Sequence, residues 1–284
     1  MKTLLKTLLL FCCAVQALAV PGPARAGDVS RHALGGWVVY CFSEGDRDSR
    51  EEIITLTDRA KALKATPGWN RTGMNFFVLD TGASKVLIDA GNTGANTRAL
   101  LAQAGIVPEA VTDVLLTHMH RDHIGGLLDA NGGAVFPKAT LHVAREEAAY
   151  WRGRAEAADR VLTAYANRLD LFEQNRQIGP VASIPAFGHT PGHTVFRVQS
   201  NGQRLLFWGD ITHVRAQFAD PGVYLSYDVD ARAALATRRK LLAQLAESGE
   251  AVAGAHIPSP GIGRIAKEDK AGEDYRFTPL PPQQ

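Results

Sequence analysis

The sequence predicts an α/β protein in which two mixed β-sheets pack face to face and helices cover their outer surfaces. Short apolar stretches bounded by turn residues alternate with stretches of helical periodicity. The alternation runs through two similar halves, and the 284 residues contain no internal repeat and no linker rich in proline or serine. Because each sheet must bury a face against another layer, the pattern indicates a four-layer αββα sandwich in one globular domain, residues 27–284.

Each predicted element has a local basis. Apolar, β-branched and aromatic residues predict strands, with "DTGAS" as a turn between the second and the third. The strands cover residues 37–42, 75–79, 85–91, 113–116, 139–143, 195–200, 204–210 and 251–257. Helical spacing predicts helices over residues 97–105, 145–174 and 230–248, the first of them closed by Gly105.

Residues 1–26 have the features of a cleaved signal peptide. Lys2 and Lys6 precede the apolar run 8–20, and "ARA" before Gly27 has the pattern of a signal-peptidase site, with "ALA" at 17–19 as an alternative cut. The apolar run is shorter than the roughly 20 residues that a membrane span needs. We therefore predict a periplasmic or secreted protein that has no membrane anchor after cleavage.

Charge and cysteine content indicate which partners and which cross-links to expect. Removing residues 1–26 removes three basic residues and no acid, so the formal net charge falls from +2 to −1. A nucleic-acid partner is therefore not expected. Cys41 is the one cysteine that remains, so no internal disulfide is expected, and its place in "WVVYCF" predicts a small buried side chain.

The stretch "THMHRDHIGG", residues 117–126, concentrates groups that bind metals. His118 and His120 are two residues apart at the end of a predicted strand, so their side chains point the same way. Asp122 and His123 follow in the loop, and two glycines then allow close approach of the backbone. Imidazole and carboxylate groups suit zinc. One loop cannot complete a catalytic metal centre, so remote ligands are required.

Three remote segments can supply these ligands, each at a strand end or in a turn. "GHTPGHT" presents His189 and His193, "LLFWGD" ends in Asp210, and "AVAGAHIP" carries His256. With these segments the chain resembles the metallo-β-lactamase superfamily over residues 37–275, nearly its whole length after the signal peptide. The resemblance rests on the order HxHxDH, His, Asp, His and on "VLIDAG".

The resemblance implies the metallo-β-lactamase fold and a centre of two zinc ions, with other divalent transition metals as the alternative. The implied ligands are His118, His120 and His193 for one ion, Asp122, His123 and His256 for the other, and Asp210 as the bridge. A hydroxide between the ions would be the nucleophile, and Asp122 would also carry the proton to the leaving group. Asp89 of "VLIDAG" would either orient a ligand histidine or cap a turn.

Within the superfamily, the resemblance favours hydrolases of esters, lactones or phosphotriesters. His120 stands where redox diiron members carry Glu, Asp210 argues against a true β-lactamase, and a glutathione thioester is an odd substrate for an exported enzyme. Acyl-homoserine lactonases have a Tyr three residues after the bridging Asp, whereas this chain has His213. The signal peptide, "GHTPGHT", "GDITHV" and "YRFTP" resemble the exported methyl parathion hydrolases most, and His213 would then either contact the substrate or be an ordinary loop histidine.

Several expectations remain open at this level. The segment 145–174 would cover the mouth of the site, with Trp151, Tyr165 and Phe172 either lining an apolar pocket or packing on the sheets. His32 and His142 are expected to be structural or exposed. The expected partner is a small, fairly apolar substrate, and a homodimer is left open. The competing functions are an acyl-homoserine lactonase, a β-lactamase, and a zinc-binding protein that has lost catalysis.

Overall fold

The computed structural model describes residues 27–268 and 274–283, which form two seven-stranded sheets. The predicted signal peptide lies outside these residues. The two sheets are mixed and carry helices on their outer faces, so the predicted four-layer α/β arrangement is confirmed. Strands and helices are numbered in chain order.

The first sheet combines antiparallel and parallel strands. In order across the sheet they are β1 (Asp28–Leu34), β2 (Trp37–Ser43), β6 (Asn75–Asp80), β7 (Lys85–Ile88), β8 (Asp113–Leu115), β9 (Thr140–Ala144) and β10 (Leu169–Phe172). Neighbours from β1 to β7 are antiparallel, and neighbours from β7 to β10 are parallel. The parallel part brings four carboxyl ends to one edge, where α/β proteins usually place their sites.

The second sheet is antiparallel except for one central pair. In order across the sheet its strands are β11 (Gln177–Ile178), β12 (Val181–Pro185), β13 (Thr194–Ser200), β14 (Gln203–Phe207), β16 (Ala251–Ala253), β17 (Ile262–Lys267) and β18 (Tyr275–Pro279). The parallel pair is β14 with β16. Two short ribbons pair β3 (Arg47–Asp48) with β5 (Arg71–Thr72), and β4 (Ile54–Thr55) with β15 (Tyr224–Leu225).

Alternation along β2 shows how the layers form. Val39 and Cys41 point between the sheets into a core that includes Phe207 of β14. Tyr40 and Phe42 point the other way and pack with residues of the helices. Successive side chains of a strand lie on opposite faces, so one strand contributes to two cores. Cys41 is buried, as predicted, and burial raises the pKa of its thiol.

Helices cover both outer faces. They are α1 (Gly94–Gln103), α2 (Arg121–Ile124), α3 (Arg145–Trp151), α4 (Glu156–Ala164), α5 (Ala216–Ala219) and α6 (Ala231–Ser248). Residues of α1 to α4 pack on the first sheet, and residues of α5 and α6 pack on the second. Short 3-10 turns occur at Glu51–Ile53, Arg59–Ala65, Pro108–Ala110, Gly125–Leu127 and Ala166–Arg168. Among the described helices, none is both long enough and apolar enough to cross a lipid bilayer.

The long helical region predicted over residues 145–174 is confirmed in part, because it consists of two helices that end at Ala164 and does not reach residue 174. α3 ends at Trp151, and Gly153 adopts a φ of 69°, a conformation that favours glycine. The chain then forms α4 and, finally, β10, which pairs in parallel with β9. A four-residue strand that depends on pairing with a partner has no periodicity of its own, so the sequence did not reveal it.

Candidate metal centre

Loops from both sheets meet at the carboxyl ends of the parallel strands. Thr117, two residues after β8, donates from its backbone N–H to Asp89 Oδ1 (2.9 Å), and its carbonyl accepts from the N–H of Thr194 at the start of β13 (2.9 Å). Ala255, two residues after β16, accepts through its carbonyl from the N–H of Asn75 at the start of β6 (2.8 Å). These bonds hold the loops of the two sheets against each other, so their side chains share one centre.

His118 and His120 bring their ring nitrogens together, since His118 Nε2 and His120 Nδ1 lie 2.9 Å apart. The turn that follows depends on Gly125 and Gly126. A Cβ on Gly126 would lie 1.8 Å from the carbonyl oxygen of Ala90, and one on Gly125 would lie 2.0 Å from the carbonyl oxygen of Asn92 in the loop after β7. The close approach predicted from the glycine pair is therefore confirmed, and a larger side chain would push this segment off the first sheet.

His189 completes this group, although the sequence resemblance pointed to His193. His189 Nε2 lies 2.9 Å from His120 Nδ1, and 3.3 Å from both His118 Nε2 and Asp210 Oδ2. His193 Nε2 instead accepts a hydrogen bond from the backbone N–H of Asp210 (3.1 Å). Both histidines flank the same Pro-Gly turn, so their spacing alone does not distinguish them.

Asp210 lies between the groups of histidines. Its Oδ2 is 3.1 Å from the Nε2 atoms of His213 and His256, and its Oδ1 is 3.2 Å from His123 Nε2. The preceding Gly209 has a φ of 56°, and a Cβ there would lie 2.7 Å from a histidine ring. Glycine is therefore required at this position if the carboxylate is to reach the centre.

A second group contains Asp122, His123 and His256. Asp122 Oδ2 lies 3.8 Å from His123 Nε2 and 3.5 Å from His256 Nε2. His256 Nδ1 is 3.0 Å from the carbonyl oxygen of Gly73, which orients the ring. Within each group the ligand atoms lie within 4.8 Å of one another, and the groups are His118, His120, His189 and Asp210; Asp122, His123 and His256; and Asp210, His213 and His256.

Two carboxylates outside these groups orient ligand histidines by contacting their Nδ1 atoms. Asp89 Oδ2 lies 2.8 Å from His123 Nδ1, so the first of the two predictions for Asp89 is confirmed. Asp228 Oδ1 lies 2.9 Å from His189 Nδ1, and the buried Arg238 lies 3.6 Å from the other oxygen of Asp228. A carboxylate at Nδ1 fixes the ring so that Nε2 faces the centre. The sequence did not single out Asp228 or Arg238, because neither lies beside a histidine in the chain.

Glu147 of α3 forms hydrogen bonds with both segments that carry histidines, residues 117–126 and "GHTPGHT". Its buried Oε1 accepts from the N–H of Met119 (2.9 Å) and from Trp151 Nε1 (2.6 Å). Its Oε2 accepts from Thr190 Oγ1 (2.7 Å) and from the N–H of Gly192 (2.9 Å). Burial raises the pKa of this carboxyl, and the four hydrogen bonds oppose that rise. The sequence did not reveal it, because an acid in the first turn of a helix is usually solvated.

Electrostatics divides the histidines into neutral and charged ones. Burial lowers the pKa of His118 well below its ordinary value and that of His120 to about 3. Burial opposes ionisation of Asp210, but the surrounding histidines, led by His123, hold its pKa well below the ordinary value. Burial likewise opposes the charge on His123, yet Asp210 and Asp89 raise its pKa well above normal. The centre therefore offers an ionised carboxylate among imidazoles.

The chemistry of these donors fits bound cations. His123 Nε2 and Asp210 Oδ1 are buried and lie 3.2 Å apart, but they do not form a well-aligned hydrogen bond with each other or with another described residue, although buried polar atoms are normally paired. Nitrogens of His118, His120 and His189 also converge, and protons cannot satisfy all of them at once. Imidazole and carboxylate without thiolate is a donor set that zinc and similar ions accept.

A cavity of about 350 Å³ opens onto the centre. His213 is buried at its wall and stacks on His256 with ring centroids 5.1 Å apart, so it borders the centre and is not an ordinary loop histidine. Besides His120, Asp122, Asp210, His213 and His256, the wall consists of Arg47, Ser49, Thr72, Asn92, Arg121, Leu225 and Tyr227.

The aromatic residues of segment 145–174 do not line this cavity. Tyr165 and Phe172 have no exposed surface and pack in the cores on either side of the first sheet. Trp151 lies with its ring 5.2 Å from that of His120 and supports it from outside the cavity wall. The prediction that these aromatic residues pack on the sheets is confirmed, and the alternative prediction that they line an apolar pocket is wrong. His32 and His142 are buried away from the centre, in line with a structural role.

Comparison with known proteins gives one family and related structures. A family model described as the metallo-beta-lactamase superfamily matches residues 70–256. A crystal structure of hydrolase AbOPH in the beta lactamase superfamily is 27% identical with a TM-score of 0.83, and the match covers 92% of this chain and 100% of that one. AidC, described as a dizinc quorum-quenching lactonase, is 23% identical with a TM-score of 0.80 over 91% and 99% of the two chains, which shows a common fold.

Curated relatives match shorter stretches. Exodeoxyribonuclease WalJ of Streptococcus pneumoniae is 43% identical over 53 residues, which is 19% of this chain and 20% of that protein. Atrochrysone carboxyl ACP thioesterase of Passalora fulva is 28% identical over 174 residues, 56% of this chain and 44% of that protein. The chain thus spans less than half the length of these relatives, and the similarity concerns only part of each.

Proposed function

Because the chain belongs to the metallo-β-lactamase superfamily, we propose that it is a dinuclear metal-dependent hydrolase of ester, lactone or phosphotriester bonds in small substrates. The observation that carries this proposal is the convergence of histidine and aspartate groups on Asp210 at the wall of an open cavity. The similarity to a structure described as a hydrolase over the whole of its length adds support.

The ligand atoms would divide between two ions. His118, His120 and His189 would hold one ion, Asp122, His123 and His256 the other, and Asp210 faces both. His189 replaces His193 in this set because its Nε2 faces the group, whereas that of His193 is bonded to backbone. Zinc suits these donors, and the similar AidC is described as dizinc. When bound, such ions lower the pKa of a water molecule and polarise the scissile carbonyl or phosphoryl oxygen.

Three side chains of the centre have further roles. Asp122 is 28% exposed, against 3% for Asp210, so it is the carboxylate that a leaving group can reach. Burial opposes its ionisation, but His123 and His256 lower its pKa, so it accepts a proton first and then passes it on. Asp210 faces both groups of ligands and would supply negative charge to the ions that they hold. His213, beside Asp210 at the cavity wall, contacts the substrate.

Among the branches of the superfamily we favour the exported methyl parathion hydrolases. His213 occupies the position three residues after Asp210, where acyl-homoserine lactonases carry a Tyr. Lys2, Lys6 and the following apolar run support export to the periplasm or the medium. An activated aryl ester or phosphotriester needs little help from a donor at His213, because its leaving group departs easily.

The test is a panel of hydrolysis assays on the metal-loaded protein. The substrates are p-nitrophenyl esters, γ- and δ-lactones, acyl-homoserine lactones, methyl paraoxon and nitrocefin. We expect turnover of aryl esters or methyl paraoxon that a chelator abolishes. A wide preference for long-chain acyl-homoserine lactones would assign the lactonase function, and turnover of nitrocefin alone would assign a β-lactamase. Bound metal without turnover of any substrate would show a binding protein.

A further inference from the structure

Two arginines without acidic partners line the cavity of the metal centre. Arg47 belongs to β3 and Arg121 is the first residue of α2, and both are exposed at the cavity wall. Across the part of the chain that the structure describes, neither guanidinium forms an ion pair, and the side-chain contact of Arg47 is with Met74 Sδ (3.6 Å). Arg121 lies between His120 and Asp122 in the sequence, so it is adjacent to two residues of the centre.

Backbone bonds attach Arg47 to the loop that carries His256. Arg47 pairs with Thr72 in the β3–β5 ribbon, and Thr72 also lines the cavity. The next residue, Gly73, donates its N–H to the carbonyl of His256 (2.9 Å) and lies with its own carbonyl 3.0 Å from His256 Nδ1. The ribbon is therefore held against the His256 loop, whereas Arg121 lies within the segment that carries His120 and Asp122.

The acids that neighbour these arginines in the chain have other partners, and Asp122, next to Arg121, faces His123 and His256. Glu44 accepts from the N–H and from Nδ2 of Asn92. Asp46 accepts from a backbone N–H, and Asp48 pairs with Arg71. The positive charge on the cavity wall is therefore available to a ligand. Guanidinium groups bind planar or tetrahedral oxyanions with two parallel hydrogen bonds, which makes an oxyanion the fitting ligand.

We propose that Arg47 and Arg121 bind an anionic group of the substrate, a carboxylate or a phosphate, that lies away from the bond to be cleaved. This inference rests on the proposed hydrolase function and narrows it. The sequence predicted a fairly apolar substrate, and the wall with Leu225 and Tyr227 can hold an apolar body, to which the arginines add a positively charged end. The substrate class is therefore an ester, lactone or phosphotriester with a negatively charged end.

A matched pair of substrates tests this inference on the metal-loaded protein. We compare 4-nitrophenyl hydrogen adipate, which carries a free carboxylate, with its neutral methyl ester, after subtracting the uncatalysed rates. We expect wild type to prefer the anion in kcat/KM, chiefly through KM. Arg47→Ala and Arg121→Ala should each lower the preference about threefold and the double variant about tenfold, as for partly exposed charge pairs. A phosphonate in place of the carboxylate separates the two kinds of oxyanion.

Arg232→Ala is the control, because Arg232 is an exposed arginine on α6 outside the cavity. It should leave the preference unchanged. No preference in wild type, or a preference that persists in the double variant, would overturn the inference and leave the hydrolase function standing. If neither ester is hydrolysed, calorimetric binding of adipic acid monoanilide and of its methyl ester decides. If wild type binds the acid more tightly than its methyl ester and the double variant does not, the proposed role of the two arginines is supported. Equal binding of the acid and the ester by wild type refutes it.

Discussion

His189 and His193 flank the same turn but have different structural roles. His189 Nε2 faces His120 and Asp210, whereas His193 Nε2 accepts from backbone. We expect His189→Ala to weaken metal binding by about 100-fold or more, as loss of a ligand should exceed the effect of an outer partner. His193→Gln keeps an acceptor near Nε2 and should retain the metal. Metal content after dialysis measures both, and the reverse pattern would return the ligand role to His193.

His213 is expected to influence which substrate is preferred. Its Nε2 lies 3.1 Å from Asp210 Oδ2, while its Nδ1 is buried and has no hydrogen-bond partner among the described residues, so the native ring offers the substrate no exposed donor. His213→Tyr introduces a hydroxyl donor, and we expect the ratio of lactone to aryl-ester kcat/KM to rise about tenfold, the worth of one hydrogen bond. Metal content should not change. A constant ratio would show that residue 213 does not contact the substrate.

At the scale of elements, Glu147 joins α3 to both histidine segments. Glu147→Gln preserves shape but puts an amide donor against N–H and O–H donors, so about two of the four hydrogen bonds are lost. We expect a loss of about 1–3 kcal/mol in unfolding free energy and about tenfold weaker metal binding. The neighbouring Glu146 is exposed, so Glu146→Gln is the control. If Glu147→Gln is less stable but binds metal as tightly as wild type, the role of Glu147 is purely structural.

His142 joins three strands of the first sheet away from the centre. From β9 it contacts Asp113 of β8 through Nε2 and Asp170 of β10 through Nδ1, both at 2.8 Å. We expect His142→Gln to lower the melting temperature by a few degrees with unchanged metal content. Thermal melts and metal analysis check this. A changed metal content would mean that the sheet edge is coupled to the centre.

The same contacts set the pH dependence of that effect. The hydrogen bond from His142 is the main cause of the lowered pKa of Asp113, and for Asp170 Arg176 and His142 outweigh burial. A carboxyl with a lowered pKa stabilises the fold above its unfolded value of about 3.9, and that contribution is lost as the pH falls through the lower folded value. The difference in melting temperature between wild type and His142→Gln should therefore shrink below about pH 4.

For the whole molecule, the sequence predicts the elements that depend on local residues. It misses the elements and contacts that form only when distant parts of the chain pair. α6 was predicted over residues 230–248 from its helical spacing, and in the structure Asp230 and Gly249 cap its ends. The two-residue ribbon that carries Arg47 was not predicted, because it forms only by pairing with β5. The choice between His189 and His193 required the turn geometry, and the anchors Asp228 and Glu147 required contacts across the chain.

The metal centre should also stabilise the whole molecule, because its groups come from loops of both sheets. We expect close to two ions per chain and a melting temperature that falls on chelation and recovers when zinc is returned. Binding to the folded state alone adds about 2.7 kcal/mol at a free concentration of 100 times Kd. Asp210→Asn removes the charge that faces both groups, so its melting temperature should respond less to zinc. A melting temperature that does not depend on zinc in the wild type, together with metal content near zero, would refute the metal centre itself.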